Sequence, residues 1–206
     1  MASTPEYLRP YRLAEQLHGP TFGATLWNSR ASQRIRFQVM AEIFPLAARR
    51  ILDAGCGTGD FLAFLEEIAQ PPAGYIGIDA LPGIIDEACR RTFQSPAEFI
   101  VGDIIAQPDL LATGQAEVIC ISGTLNTLKD GQFYAALDHA FDSAKHCLLF
   151  NFLSTKYVAP TAISGTVMRH DPAEVFARGL KRTGKVIVRH DYYDARDCTM
   201  AWLKGS

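Results

Sequence analysis

Residues 51–60 read ILDAGCGTGD and place three glycines at alternate positions behind a short apolar run, at Gly55, Gly57 and Gly59. A glycine inside a regular helix or strand costs roughly 0.5–1 kcal/mol relative to alanine, so three of them close together need a reason. Small residues after a strand allow another molecule to lie against the bare main chain. The stretch therefore predicts a strand, a ligand-binding turn and a helix that begins near Asp60.

Strands and helices alternate along the rest of the chain. Apolar runs predict strands at 49–54, 73–80, 97–103, 116–123 and 146–154, and helical periodicity predicts helices at 59–69, 82–93, 132–144 and 171–184. This alternation is typical of a mostly parallel sheet that is covered on both faces. Residues 185–204 read as two strands with a short polar turn, which forces antiparallel pairing. We therefore predict an α/β protein with a doubly wound, mostly parallel seven-stranded sheet and an antiparallel final strand.

The first 47 residues differ from the rest of the chain. They predict two or three helical pieces broken at Pro10, near Gly19 and at Pro45. The apolar positions of residues 29–44 suit a helix that packs on a larger body. We predict an N-terminal helical cap over residues 1–47 and one ligand-binding core over residues 48–206.

Composition excludes several classes of protein. The net charge of −2 gives no basic surplus for nucleic acid. The number of cysteines, five, is odd, and no two of them form a CxxC motif. Both facts argue against a disulfide framework and against a structural zinc site. No stretch approaches the roughly 20 apolar residues that span a bilayer, and the N-terminus lacks a signal-peptide pattern. We predict a cytoplasmic protein without a metal, a nucleic-acid partner or a membrane partner; the oligomeric state is open.

Two acidic residues follow the next predicted strands. Asp79 stands 20 residues after Gly59, and Asp103 ends the third strand. Ligands of doubly wound sheets bind outside the carboxyl ends of the strands. A carboxylate at Asp79 suits the two hydroxyls of a ribose, and one at Asp103 suits the exocyclic amine of adenine. Leu81 and Ile104 are placed to cover the faces of a base.

The spacing of the glycines helps to distinguish between two classes of nucleoside ligand, a dinucleotide and a ligand without a diphosphate. Dinucleotide sites read G-x-G-x-x-G, whereas this turn reads G-x-G-x-G. A helix N-terminus that binds diphosphate should be free of negative charge, but Asp53 and Asp60 flank this one. The expected ligand has an adenosine end and a positively charged end, as S-adenosylmethionine does. A nicotinamide-dependent oxidoreductase remains the alternative.

Four segments in order, ILDAGCGTGDFL, YIGIDA, FIVGDI and VICISGTLN, resemble the cofactor motifs of class I S-adenosylmethionine-dependent methyltransferases, in particular bacterial small-molecule enzymes. The resemblance covers roughly residues 48–155, and residues 185–204 resemble the reversed last strand of that fold. It implies a Rossmann-like fold, S-adenosylmethionine as cofactor with S-adenosylhomocysteine as product, and a small-molecule methyl acceptor.

The resemblance also implies roles for individual residues. The three glycines line the methionine and ribose, Asp53 orients the ammonium, and Ser122 lies beside the sulfonium. Asp79 binds the ribose, and Asp103 with the Ile104 main chain binds adenine. The implied cofactor-binding residues are Asp53, Gly55, Gly57, Gly59, Asp79, Ala80, Leu81, Asp103, Ile104 and Ser122.

Each assignment has a structural alternative. The glycines also fit a simple tight turn, Asp79 a helix N-cap, and Asp103 an ordinary strand end. Asp53 also fits a cap for the following helix. Ser122 and Asn126 also fit turn formers. Trp27, Arg34 and Phe37 fit either a lid over the cofactor or packing.

No residue of the sequence stands out as a catalyst. Methyl transfer from a sulfonium needs alignment and exclusion of water more than a dedicated group. His190 and Asn126 are the candidates, with His190 at the ligand end of a sixth, parallel strand; His170 is a weaker candidate. The segment ISGTLN lacks the motifs of amino and cytosine methyltransferases and an acidic cluster for magnesium.

The sequence thus predicts metal-independent transfer, with oxygen, nitrogen and carbon acceptors all open. A protein that binds the cofactor without transferring a methyl group is the second alternative. Small residues from 156 to 169 predict a mobile lid.

Overall fold

The structure is a computed structural model that describes residues 4–157 and 167–205. Its strands are β1 Arg50–Ala54, β2 Gly74–Asp79, β3 Ala97–Val101, β4 Val118–Ile121, β5 Cys147–Leu153, β6 Val186–Arg189 and β7 Asp197–Leu203. They form one sheet in the order β3-β2-β1-β4-β5-β7-β6. Strands β1 to β6 run in one direction, and β7 is antiparallel to both of its neighbours. The predicted Rossmann-like α/β topology is confirmed.

The helices cover the sheet and begin where the sequence supplies caps. They are α1 Arg9–His18, α2 Arg30–Ile43, α3 Asp60–Glu67, α4 Pro82–Arg90, α5 Asp130–Ser143 and α6 Pro172–Arg182. The Ser29 hydroxyl accepts a hydrogen bond from the main-chain N of Ser32 at 3.1 Å at the start of α2. The Asp171 carboxylate accepts one from the main-chain N of Ala173 at 2.9 Å, so the N-cap expected for α6 is present.

The core lies on both faces of the central strands. All four residues of β4 are buried, and alternate ones face opposite sides: Ile119 belongs to one apolar cluster and Cys120 to the other. Helix α2 packs on α3, where the ring centroids of Phe37 and Phe61 lie 4.9 Å apart. The amphipathic pattern of residues 29–44 thus describes a helix that contributes to the core beside the sheet.

The expected break at Pro10 is wrong. Helix α1 begins at Arg9 and carries Pro10 in its first turn. A proline is tolerated there because the missing N–H would have no partner inside the helix. The other two breaks are present, since Gly19 has a φ of 68° just after α1 and Phe44, before Pro45, is extended.

The structure also bears on the cysteines, on the predicted lid and on membrane-spanning helices. Four of the five cysteines are buried and none is paired; Cys89 is exposed. The lid predicted from 156 to 169 lies largely outside the described residues. Within the described ranges, no helix combines the length and apolar character that crossing a bilayer requires.

Candidate functional site

The turn after β1 needs glycine for a specific steric reason. Gly55 has a φ of 83°, and a Cβ there would lie 1.8 Å from the Thr124 hydroxyl. That hydroxyl donates a hydrogen bond to the main-chain O of Ala54 at 3.0 Å. The loop after β4 therefore presses on the bare main chain of the turn. Part of the glycine pattern thus serves contact between two loops of the protein itself.

A first cleft opens beside this turn, at the carboxyl ends of β1 to β4. It encloses about 940 Å³, part of it open to solvent. The residues of its wall include nine of the predicted cofactor-binding residues: Asp53, Gly55, Gly57, Asp79, Ala80, Leu81, Asp103, Ile104 and Ser122. Gly59 is not among the residues of this wall, and a Cβ there would lie 2.8 Å from the Phe93 ring.

Asp79 connects the end of β2 to the glycine turn. Its Oδ2 accepts a hydrogen bond from the main-chain N of Gly57 at 3.1 Å, and its Oδ1 accepts one from Leu81 at 3.0 Å. Burial raises the pKa of Asp79 to about 6, against the lowering effect of these hydrogen bonds. Leu81, not Asp79, is the N-cap of α4, so the capping alternative is wrong.

Asp53 is a buried carboxyl group on the floor of the first cleft. Only 2% of its surface is exposed, and its Oδ2 accepts a hydrogen bond from the Tyr75 hydroxyl. Burial raises the pKa of Asp53 to about 7, and the charges of Asp79 and Asp60 raise it further while Tyr75 lowers it. Gly59 is the N-cap of α3 and no side chain caps that helix, so Asp53 is free of the alternative capping role. A cation beside it would favour the ionised form.

The N-terminal segment supplies part of the wall that the sequence did not reveal. The Tyr7 hydroxyl donates a hydrogen bond to Asp103 Oδ2 at 2.8 Å, and the Tyr11 hydroxyl donates one to the main-chain O of Gly123 at 3.1 Å. Asp103 Oδ1 meanwhile accepts from the main-chain N of Ile105 at 2.9 Å. The only signal for these tyrosines is their spacing of four residues.

Trp27, Arg34 and Phe37, for which the sequence leaves a lid or packing open, occupy different places in the structure. Trp27 and Phe37 both line the first cleft, and Phe37 also packs in the core. Arg34 lies outside, where its guanidinium pairs with Glu67 at 2.6 Å.

Asn151 positions the loop after β4. It is fully buried on β5, and its Nδ2 donates a hydrogen bond to Ser122 Oγ at 2.8 Å. Its Oδ1 accepts from the main-chain N of Gly123 at 3.1 Å. Sequence reasoning missed Asn151, although a polar residue inside the apolar run CLLFNFL was the available signal.

The two catalytic candidates lie apart from the first cleft. Asn126 lines a neighbouring cleft, and its Oδ1 accepts a hydrogen bond from the main-chain N of Leu153 at 3.2 Å. His190 follows β6, and its Nε2 lies 2.9 Å from Ser154 Oγ, away from the described walls of both clefts. His170 is buried and stacks on Phe133 with the ring centroids 3.6 Å apart, as a core residue does.

The second cleft adjoins the first and encloses about 1220 Å³, including space open to solvent. The residues that both clefts share are Tyr11, Thr25, Trp27, Gly123 and Thr127. Its other side carries three arginines, Arg36, Arg169 and Arg196. The two clefts therefore adjoin at the loop that follows β4 and at the N-terminal segment.

Comparison with known proteins finds a family match for the central part of the sequence. Residues 51–146, from β1 to just before β5, match a family model described as a methyltransferase domain. None of the curated proteins matches the chain.

Several solved structures share the fold. An O-methyltransferase family protein from Burkholderia thailandensis aligns with a TM-score of 0.72 and 19% identity, covering 98% of this chain and 67% of that one. Magnesium protoporphyrin IX methyltransferase from Synechocystis PCC 6803, with bound SAM, aligns over 100% of both chains with a TM-score of 0.66 and 12% identity. The small RNA methyltransferase HEN1 aligns with a TM-score of 0.65 and 14% identity, over 85% of this chain and 25% of that one.

Proposed function

We propose that this chain, which carries a methyltransferase domain on the class I S-adenosylmethionine-dependent fold, transfers a methyl group from S-adenosylmethionine to a small-molecule acceptor. The observation that carries the proposal is the pair of adjoining clefts at the carboxyl ends of the strands, one lined by the glycine turn and four acidic residues. A transferase needs two ligand sites that meet, and these two clefts share a wall.

The residues of the first cleft fit S-adenosylmethionine in charge and in order. Asp79 would hold the ribose hydroxyls, and Asp103 with the Ile104 main chain would bind adenine. The apolar side chains of Leu81 and Ile104 suit the two faces of the base. Asp53 supplies a buried acidic group that stands without a cationic partner among the described residues. A ligand with an ammonium and a sulfonium meets that requirement, whereas a diphosphate would add further negative charge.

The cofactor brings a methyl group that is already activated, with a neutral leaving group. The protein must then orient the acceptor and keep water away. We infer that residues 1–47 act as a cap for this purpose, because Tyr7, Tyr11 and Trp27 all reach the first cleft. Ser122, held by Asn151, would lie beside the sulfonium. Asn126 would orient the acceptor from the second cleft, and His190 stays a candidate base only if the acceptor extends to the end of β6.

The alternatives are less well supported. A protein that only binds the cofactor has no use for a second cleft that meets the first. A nicotinamide cofactor would place its diphosphate near Asp53 and Asp60 at the start of α3. We further propose a metal-independent mechanism, and a cytoplasmic location because all five cysteines are unpaired.

The test is turnover. Purified protein and S-adenosylmethionine are incubated with panels of hydroxyl, amine and carbon acids and with a small RNA, and S-adenosylhomocysteine release is measured. Release that depends on one small acceptor supports the proposal. Tight cofactor binding with no release on any acceptor supports the binding-protein alternative, and release on RNA alone contradicts the small-molecule assignment.

A further inference from the structure

Three guanidinium groups line the second cleft, and one of them, that of Arg36, has partners within the protein for all three of its nitrogens. Arg36 is 4% exposed, and its Nε and Nη2 donate to the two carboxylate oxygens of Asp197 at 2.8 and 2.5 Å. Its Nη1 donates to the main-chain O of Ser32 at 2.5 Å. This bidentate pair balances one positive charge with one negative charge inside the protein.

The positive charges of the other two guanidinium groups are not neutralised by a nearby carboxylate of the described residues. Arg169 donates a hydrogen bond from Nη1 to the main-chain O of Ser154 at 3.0 Å, and no carboxylate of the described residues lies within 4.0 Å of Arg169 or Arg196. No aspartate or glutamate belongs to the described wall of this cleft. The cleft therefore carries an excess of two positive charges.

Arg196 also has a hydrogen-bond donor that lacks a partner. Its Nε is buried and makes no hydrogen bond with any described residue. The guanidinium stacks over the rings of Tyr157 and Tyr193, at 4.7 and 5.2 Å from their centroids. Buried donors without a partner cost free energy, and they are normally satisfied by a ligand or by water. The stacking holds the planar group in place, as a binding group requires.

A purely structural explanation would assign all three arginines to Asp197. Both oxygens of that carboxylate accept from Arg36, and neither Arg169 nor Arg196 lies within 4.0 Å of it. Arg169 and Arg196 contribute only a longer-range lowering of the pKa of Asp197. Their charge has no other partner in the described part of the chain.

We propose that Arg169 and Arg196 bind an oxyanion, a carboxylate or a phosphoryl group, on the methyl acceptor. The inference rests on the proposed function, and it defines the acceptor as an anionic molecule with its reactive atom toward the wall shared with the first cleft. Tyr157, Tyr193 and Trp27 supply aromatic surface for an apolar or ring-shaped body. A guanidinium fork donates two parallel hydrogen bonds to a pair of oxygens, which both a carboxylate and a phosphoryl group present.

The experiment is calorimetric titration at constant ionic strength with three probes: benzoate, phenylphosphonate and the neutral benzamide. Each is titrated into the protein alone and into the protein with S-adenosylhomocysteine. We expect at least one anion to bind and benzamide to bind about tenfold more weakly, since each charge-assisted hydrogen bond contributes on that scale. A preference between the two anions identifies which group the acceptor carries.

Three variants connect binding to the residues. Arg169→Gln and Arg196→Gln should each weaken the anion about tenfold, while Arg196→Lys, which keeps the charge but not the fork, should fall between. Arg90→Gln removes an exposed charge on α4 and should change nothing. Equal binding of benzoate and benzamide, absence of binding by the wild-type protein, or unchanged anion affinity in Arg196→Gln would overturn the inference.

Urea unfolding of each variant reports that it is folded, and the same variants are also titrated with S-adenosylmethionine. If the wild-type protein binds anions through Arg196 but does not bind S-adenosylmethionine, the proposed function fails and the anion site stands. If S-adenosylmethionine binds and the anions do not, the anion site fails and the proposed function stands.

Discussion

Asp79 Oδ2 and the main-chain N of Gly57 lie 3.1 Å apart, and this hydrogen bond ties the end of β2 to the turn after β1. The carboxylate proposed to hold the ribose therefore also braces the turn proposed to cradle the rest of the cofactor. A carboxylate oxygen has two lone pairs, so Asp79 can keep this bond and accept another from a ligand. Substitutions at Asp79 must consequently be read together with a measurement of stability.

Gly55→Ala should destabilise the protein strongly. An alanine there adopts a left-handed conformation and brings its Cβ within 1.8 Å of the Thr124 hydroxyl. The conformational cost alone is about 1–2 kcal/mol, and the steric clash adds to it. We expect the free energy of unfolding, measured in urea, to fall by more than about 2 kcal/mol.

Gly131→Ala is the matched control for that measurement. Gly131 lies in the first turn of α5, and an added Cβ would meet open space. Its stability should stay the same or rise by a few tenths of a kcal/mol. A Gly55→Ala protein as stable as this control would show that the loop after β4 can withdraw from the turn.

The buried ion pair of Arg36 should matter far more than the exposed pair of Arg34, although both arginines lie on α2 and both are bidentate. Arg36→Gln leaves Asp197 buried without its partner, and such changes cost about 3–5 kcal/mol. Arg34→Gln breaks a solvated pair with Glu67 and should have no measurable effect on stability. Equal losses in the two variants would contradict the account.

The loss in Arg36→Gln should also depend on pH. Burial already raises the pKa of Asp197, and removal of Arg36 removes the main group that lowers it. As pH falls, protonation of Asp197 removes the unpaired charge, so the loss of stability should shrink from neutral to acidic pH. Urea unfolding at the two ends of that range checks the direction.

Asp53 should make cofactor affinity pH-dependent. Its pKa of about 7 in the folded protein lies above the ordinary value of 3.8, so the group is largely protonated below neutrality and ionised above it. A cationic ligand prefers the ionised form, and affinity for S-adenosylmethionine should rise as pH increases from about 5.5 to about 7.5, below the ordinary range of an α-amino group. Titration calorimetry over this range measures the effect.

Asp53→Asn should reduce the slope of that profile near pH 7 while keeping a hydrogen-bond acceptor for Tyr75, and the slope that remains belongs to Asp79, whose pKa burial raises to about 6. The effect of Asp53 on the stability of the protein has the opposite pH dependence from its effect on cofactor affinity. Because the unfolded chain ionises at lower pH than the folded protein, Asp53 removes stability as pH rises from about 4 to about 7. Asp53→Asn should therefore be more stable than the wild type above neutrality. A pH profile with the same slope in both proteins would contradict the role of Asp53.

Much of the fold was predictable because its signals are local. Apolar runs of strand length alternate with helical periodicity, and the short connection after residue 189 excludes a parallel crossover for the last strand. The acidic residues at 79 and 103 were found because strand ends in a parallel sheet share one edge. Pro10 was misread because the same residue that ends a helix is harmless in the first turn of one.

The rest of the site depends on contacts between distant parts of the chain. Tyr7 meets Asp103 across 96 residues, and Asn151 meets Ser122 across 29. Neither pairing leaves a periodic trace in the sequence. Gly59 also has a contact that its place in the motif does not reveal, since an added Cβ would meet Phe93 and Phe99. The three arginines of the second cleft come from α2 and from segments on either side of β6.

The central claim is that the first cleft binds S-adenosylmethionine through Asp79. The most direct measurement is calorimetric titration of S-adenosylmethionine and S-adenosylhomocysteine into the wild-type protein, Asp79→Asn and Asp86→Asn, with urea unfolding of each. Asp86 is an exposed acid on α4 and is the matched control for charge. The account predicts binding to the wild type and to Asp86→Asn, and binding at least about tenfold weaker to a folded Asp79→Asn. A folded wild-type protein that binds neither ligand, or an Asp79→Asn protein that binds as the wild type does, would contradict it.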